Sequence, residues 1–579
     1  MFHQSLIVRY GYQESEDTKH RKSITLALAN VFTYTSTGDW LVGAVMKSFV
    51  RISALLWADI LVVYAVFVLQ NYLTDVWKLS FTHAAGILNI WGGISFILPV
   101  FFLFLVDAFV GHFQMLVFSS VAYSLGISFI SMSTPPVLAN SCKLYEPQCI
   151  GHTKKVLFYT GLSLLAVGVA GHLVSVRPFL KEQEDKSDEK QGSGSICQIA
   201  GFQFVVLVPL IGAFALPYIK PWSIRFGNPA ICTVVATLLF LSGSCTYKKA
   251  EPQGSPLTNV CRVFVAAAFK ICEPFPLDAN ELYKKDGQEL QRFSSTRVLR
   301  FLEKAAIVIP GKSKEQQEKN RWRLCSVAEV EEAKITVRVV PMWMTFIVCG
   351  IVSSFGNTYF VEQAKKMNRK IGKWKVPLQI ILMLFDWAKR FFASCYNKMA
   401  DRFFPGSKKY APSAGIVMAM IFSILCCITA ARIEMRRLDV ITRHNLLDKP
   451  DENIPMSVYW LLFQFFLLAG LDSFFEKSVS EFFKDQAPGS MKNYLEFFSK
   501  GVSGLGFICN VLSVHVVGNI SEKGGKPNWF QHTLNRSRLD RYYWVLAGLS
   551  GVNLVVYILV AFIYRYKNLE PNNGARTDA

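Results

Sequence analysis

A helix needs about 20 consecutive apolar residues to cross about 30 Å of hydrocarbon, and this chain supplies such runs over and over. Twelve candidates stand out, at 53–73, 83–107, 113–133, 155–178, 197–219, 224–246, 339–361, 377–399, 413–431, 456–476, 493–519 and 543–564. That pattern predicts an all-α membrane protein with 12 transmembrane helices. Pro99, Pro209 and Asp472 interrupt three of the runs, which a helix bundle tolerates where neighbouring helices or a wet cavity satisfy the freed polar groups. The eighth run is the weakest, because Asp386, Lys389 and Arg390 fall within it, and the eleventh contains Lys500.

A polar stretch at 247–338 divides the runs six and six. This is the organisation of the major facilitator superfamily, whose halves pack around a midplane cavity. The predicted parts are a cytosolic N-terminal segment 1–52, a six-helix bundle 53–246, a cytosolic central loop 247–338 with short helices, a second bundle 339–564 and a cytosolic tail 565–579. The basic N-terminal segment and central loop favour this orientation by the positive-inside rule. The loop with Lys365, Lys366, Arg369, Lys370 and Lys373 opposes it, since it would face outward.

Charged residues make up 18% of the chain, against about 25% in soluble domains. The net charge is +20, but the bases lie between apolar runs, where lipid headgroups are the expected partner. With no basic helix interleaved with stacking aromatics, nucleic acid is not expected. Most of the 13 cysteines suit packed thiols. Cys142 and Cys149 lie in a short polar loop and suit a disulfide if that loop is outside the cytosol. No spacing suggests a metal site, no cofactor is implied, and no cleaved secretory signal is evident. An enzyme is not expected either, for want of an HExxH motif, facing catalytic acids or a nucleophile elbow.

Several stretches resemble the plant nitrate transporter 1/peptide transporter family of the proton-dependent oligopeptide transporter superfamily. Asn71-Tyr72-Leu73-Thr74, Ala84-Ala85 through Asn89-Ile90-Trp91-Gly92-Gly93, and Val106-Asp107-Ala108-Phe109-Val110-Gly111 match its first-half motifs. Val330-Glu331-Glu332-Ala333-Lys334 with Pro341-Met342-Trp343, Phe482-Phe483-Lys484-Asp485-Gln486, and Leu534-Asn535-Arg536-Ser537-Arg538-Leu539-Asp540 match the second half in the same order. The resemblance implies a carrier of nitrate, small organic anions, hormones or metabolites, less readily peptides, working by alternating access in the plasma or vacuolar membrane of a plant cell.

The family's proton-coupling motif in the first helix is replaced. Its two glutamate positions and its base fall on Leu55, Ala58 and Asp59, and the tyrosines that follow fall on Val62 and Val63. The family's fourth-helix lysine is Leu173. Leu and Ala cannot titrate, so proton coupling is expected to be weak or lost. A second reading is a transport-inactive relative acting as a sensor or partner subunit. Asp59 alone could serve as a relocated proton site, and His172 could titrate near neutral pH or simply hydrogen-bond within the fourth helix.

The expected substrate cavity includes Asp472, whose family partner is missing and for which Lys389 and Arg390 are substitute bases. Asp386 and Arg390, spaced i, i+4, suit an ion pair on one helical face. Asn89, Asn357 and Thr358 are further candidates to line the cavity, and Trp91 accompanies them; each could equally make an interhelical hydrogen bond. Asp107 and Gly111 match the gating loop, where His112 replaces the family's arginine.

Overall fold

The computed structural model describes residues 39–135, 150–184, 207–208, 210–252, 254–275, 282–283, 297–309, 317, 320, 322–405, 410–450, 452–486 and 491–568. Cys142 and Cys149 lie outside the described residues, as do residues 1–38 of the predicted N-terminal segment and 197–206 of the fifth predicted span.

In the first half, α1 (Asp39–Val66) leads through a short α2 (Leu69–Asp75) to α3 (Phe81–Leu105), α4 (Gly111–Met132), α5 (His152–Glu184) and α6 (Trp222–Leu241). The central region contributes α7 (Pro256–Phe269) and a 3-10 helix at Arg297–Ala306. The second half follows as α8 (Val327–Ser353), α9 (Tyr359–Lys366), α10 (Leu378–Phe403), α11 (Ala411–Arg443), α12 (Tyr459–Gln486), α13 (Lys492–Glu522) and α14 (Leu539–Asn568).

Eight helical stretches among the described residues are long and apolar enough to cross a membrane. One of them, Phe81–Met132, runs for 52 residues and holds two predicted spans. A π-helical turn at Val106–Val110 and Gly111 at φ 75° fold it into α3 and α4. A Cβ at Gly111 would lie 3.3 Å from the Ala250 carbonyl oxygen, and the left-handed backbone there favours glycine.

α10 and α12, predicted as the eighth and tenth spans, are long but are not among the eight. α10 carries Asp386, Lys389 and Arg390, and α12 carries Asp472, Glu476 and Glu481. The two helices pack together, so charge that lipid would reject is matched across one interface. α1 begins at Asp39, well ahead of the first apolar run, and α8 begins at Val327, where Ser326 and Glu329 form a reciprocal capping box.

The halves meet most extensively through α3 and α13. At their crossing a Cβ on Gly93 would sit 2.6 Å from the Gly504 carbonyl oxygen. Only small residues allow backbones this close, and in lipid such contacts stand in for a hydrophobic drive between helices. Small β pairings tie the loops: Met367–Asn368 runs parallel to Ile454–Ser457, and Lys370–Ile371 pairs with Trp374–Lys375 around Gly372.

Candidate functional site

A narrow cleft lies where the halves face each other. Val62, Val63, Val66 and Phe67 of the first span, Leu88, Asn89 and Trp91 of α3, and Tyr123 of α4 form much of its wall. Leu165 and Val169 of α5, Phe507 of α13, and Asn357 with Thr358 complete it. Asn89, Asn357 and Thr358 are therefore brought together, while the indole of Trp91 donates to the Leu162 carbonyl at 2.9 Å. The wall is largely apolar, with Val62 and Val63 presenting methyls.

Asn357 and Thr358 reach the cleft because the seventh span breaks. α8 ends at Ser353, and the 3-10 turn Ser354–Asn357 carries the chain to α9. Asn510 donates to Ser354 Oγ at 2.8 Å and accepts from the Tyr542 hydroxyl at 3.1 Å; Thr358 Oγ1 donates to the Ser354 carbonyl at 2.8 Å. These bonds occupy polar groups around a break that bare hydrocarbon would not tolerate.

Leu55, Ala58 and Leu173 are all buried. Asp59 is also buried, and its carboxylate meets His172 Nδ1 at 2.8 and 3.0 Å. His172 Nε2 lies 2.9 Å from Ser120 Oγ. The order hydroxyl, imidazole, carboxylate is that of a hydrolytic triad, but Ser120 is 1% exposed, so the group forms part of a core.

In the second half, Lys389 is buried and its ammonium contacts Glu476 at 3.0 Å. Asp472, one turn before Glu476, accepts from Ser353 Oγ at 2.5 Å. Lys389 lies near enough to Asp472 to act on it electrostatically, but its hydrogen bond goes to Glu476, which the sequence reading did not single out. Asp386 and Arg390 both act electrostatically on Tyr64 of α1, which puts charges of α10 beside the first-half helix that walls the cleft. Glu434 and Arg437 of α11, both fully buried, form a pair at 2.6 Å. Gln363 donates to this glutamate at 2.6 Å, and the arginine donates to the Leu534 carbonyl at 3.0 Å. Four-residue spacing signals Glu476 beside Asp472 on one face; Ser353 and Ser120 give no sequence signal of their partners.

Both ends of the interface between halves are bridged. On one side, Asp107 accepts from the Tyr494 hydroxyl at 2.7 Å, and the same oxygen lies 2.7 Å from Ser255 Oγ. The Asp107 carbonyl also accepts from Gly254 N–H at 3.0 Å. His112 sits 3.8 Å from Glu182. On the other side, Lys365 of α9 donates to Thr74 Oγ1 at 2.7 Å and to Asp75 at 2.5 Å, and Trp374 donates to the Tyr218 hydroxyl at 2.7 Å. The cleft thus lies between two sets of bridging contacts.

Residues 113–530 match the PTR2 profile of the POT family. The chain is 39% identical over 533 residues to Protein NRT1/PTR FAMILY 5.5 of Arabidopsis thaliana, covering 90% of this chain and 98% of that protein. It is 31% identical to Protein NRT1/PTR FAMILY 8.1 of the same plant, covering 86% and 90%. Among solved structures it resembles the POT family transporter PepTSo, with a TM-score of 0.59 at 16% identity, covering 92% of this chain and 99% of that one. A POT family transporter in complex with 5-aminolevulinic acid matches with a TM-score of 0.55 at 10% identity, covering 91% and 96%; at these identities the likeness concerns the fold. A cleft between two halves, Asp107 of the first half bridged to Tyr494 of α13, and these matches along most of the chain lead to one conclusion: this is a multi-pass membrane transporter of major-facilitator fold that belongs to the POT family and, within it, to the nitrate transporter 1/peptide transporter family.

Proposed function

We propose that this protein carries a small, uncharged organic solute across a plant membrane by alternating access. The observation that carries the reading is the cleft wall: methyl groups and rings, interrupted by the amides of Asn89 and Asn357 and the hydroxyl of Thr358. An apolar cavity with a few placed hydrogen-bonding groups suits an organic molecule. Desolvating nitrate or the two charged ends of a peptide there would cost several kcal/mol without a facing charge. With Leu55, Ala58 and Leu173 unable to titrate, the family's carboxylate relay cannot run, and the solute's own gradient supplies the main driving force. The test is uptake into proteoliposomes of a radiolabelled panel of neutral organic solutes, nitrate and dipeptides. Saturable uptake of a neutral solute, weakened about tenfold by Asn89→Ala or Thr358→Val through one lost, desolvated hydrogen bond, is expected. Nitrate or dipeptide uptake that outruns every neutral solute overturns the reading.

A further inference from the structure

Arg432 and Arg436 stand on the outer face of the second half, on α11, and both are exposed. Their four-residue spacing puts them on one face of the helix, about 6 Å apart by helical rise. What they touch are rings. The Arg432 guanidinium lies 5.9 Å from the ring centroid of Trp544 on α14, and that of Arg436 lies 4.0 Å over Trp460 on α12. Among the described residues neither makes an ion pair or a hydrogen bond. Glu434, between them in sequence, is fully buried and held by Arg437. Asp439 is exposed three residues beyond Arg436 but does not pair with it.

The depth of the four residues follows from three apolar runs. The run on α11 ends at 431, one residue before Arg432, and those on α12 and α14 begin at 456 and 543, just ahead of Trp460 and Trp544. α12 and α14 both pack on α11, so the end of one run and the starts of two others meet at one edge of the hydrocarbon. Tryptophan belongs at that level. An arginine there needs an anionic partner or water for its charge.

The surroundings favour the partner over water. Met435 beside Arg436, Val545 beside Trp544, and Phe463 one turn from Trp460 are 42%, 46% and 62% exposed, a surface that acyl chains cover and water does not. Each indole underlies a planar guanidinium and limits how it can turn, leaving its N–H fork directed past the ring edge. Such a fork matches two oxygens of a phosphate, and two forks one turn apart can share one phosphodiester. A free inorganic anion would leave the apolar side chains uncovered, and a glycolipid would bring no charge.

We infer that Arg432 and Arg436, backed by Trp544 and Trp460, bind the phosphate of a membrane phospholipid where α11, α12 and α14 meet the bilayer edge. The lipid ties three helices of the second half together and stabilises them by mass action, since the site exists only when they are packed. This site is independent of the solute and of the cleft.

The test uses the purified full-length chain, delipidated in detergent and examined by native mass spectrometry with added lipid. Phosphatidylglycerol is expected to stay bound as a discrete adduct, and monogalactosyldiacylglycerol, which has two acyl chains and no phosphate, is not. Arg432→Gln with Arg436→Gln should lower phosphatidylglycerol occupancy about tenfold through the lost charge-assisted contacts. Arg300→Gln with Arg323→Gln removes the same charge from exposed positions of the central region and should leave occupancy unchanged. Equal retention of the two lipids, or equal losses in the two double variants, overturns the proposal. Millimolar inorganic phosphate should not displace the lipid; displacement would mark a free-anion site and overturn it equally. Should the first double variant fail to fold, Arg436→Lys keeps the charge, loses the planar fork and must still lower occupancy; unaltered occupancy overturns the proposal. Phosphatidylglycerol should also raise the unfolding midpoint of the unmodified chain but not of the first double variant, and the same rise in both overturns it.

Discussion

Around Asp59, the first half sets one acid against one imidazole, with the Ser120 hydroxyl and the Tyr123 ring beside them. The second half is built otherwise: Lys389 meets Glu476, and Arg437 meets Glu434, each a permanent cation against a carboxylate. Lys389–Glu476 joins α10 to α12, while Glu434–Arg437 lies within α11 and reaches its neighbours through Gln363 and the Leu534 carbonyl. The contrast can be broken or sharpened by removing one partner at a time.

The largest effect is expected at Glu434 and Arg437. Arg437→Met strands a fully buried carboxylate and should cost about 3–5 kcal/mol, read as a lowered unfolding midpoint in detergent. Glu434→Gln together with Arg437→Met should recover much of that loss. A double variant no better than the single one would break the contrast.

Next comes Lys389→Met. Glu476 remains 32% exposed and can rehydrate, so the loss should be smaller, about 1–3 kcal/mol, and Glu476→Gln in the same chain should restore part of it. Equal losses at the Lys389 and Arg437 sites would mean that burial of the abandoned carboxylate does not set the cost.

The two sets of bridging contacts should respond more weakly. Tyr494→Phe deletes the hydroxyl that bridges Asp107 and Ser255, worth about 1 kcal/mol, or about fivefold in the balance between conformers. Lys365→Ala removes a contact to the half-exposed Asp75 and should shift that balance by less than about 1 kcal/mol. The two variants should move it in opposite directions, as reported by thiol labelling of cysteines engineered at either mouth. Shifts in the same direction would show that the bridges do not oppose one another.

A pH slope rather than a fixed loss is expected from Lys270, which lies just past α7 and donates to the Ala305 and Ile307 carbonyls at 3.0 and 2.6 Å. Burial pushes its ammonium down from the ordinary 10.5 to about 8. The unfolded chain then holds more protons than the folded one between those values, so stability rises with pH across this window. Below about pH 8 the penalty is fully present. Lys270→Met should remove the slope, measured as the unfolding midpoint against pH; an unchanged slope would reassign it to other groups.

Much of the architecture was legible along the chain because lipid demands long apolar runs, and these can be read without knowing what they touch. α5, α11, α13 and α14 each cover a predicted run, and α3 and α4 end within two residues of theirs. α10 and α12 were the harder pair, since their charges look unsuited to a membrane until the two helices are set side by side. Asn89, Asn357 and Thr358 were nameable as polar groups at depth, but their meeting in one cleft depends on a helix break after Ser353. Asp59 and His172 each drew notice separately, as an acid in place of a base and as a histidine within a helix. Their contact spans 113 residues, and no local spacing encodes it.

Sequence by itself determined that the chain spans a membrane as two sets of helices and that Leu55, Ala58 and Leu173 carry no ionisable group. Those facts follow from residue chemistry and from a hydrophobic length fixed by the bilayer. Only the tertiary structure decided which charges neutralise each other and which polar groups share the cleft. Helix packing brings together side chains on different helices, and in a low-dielectric interior the identity of the nearest partner governs what an ionisable group can do.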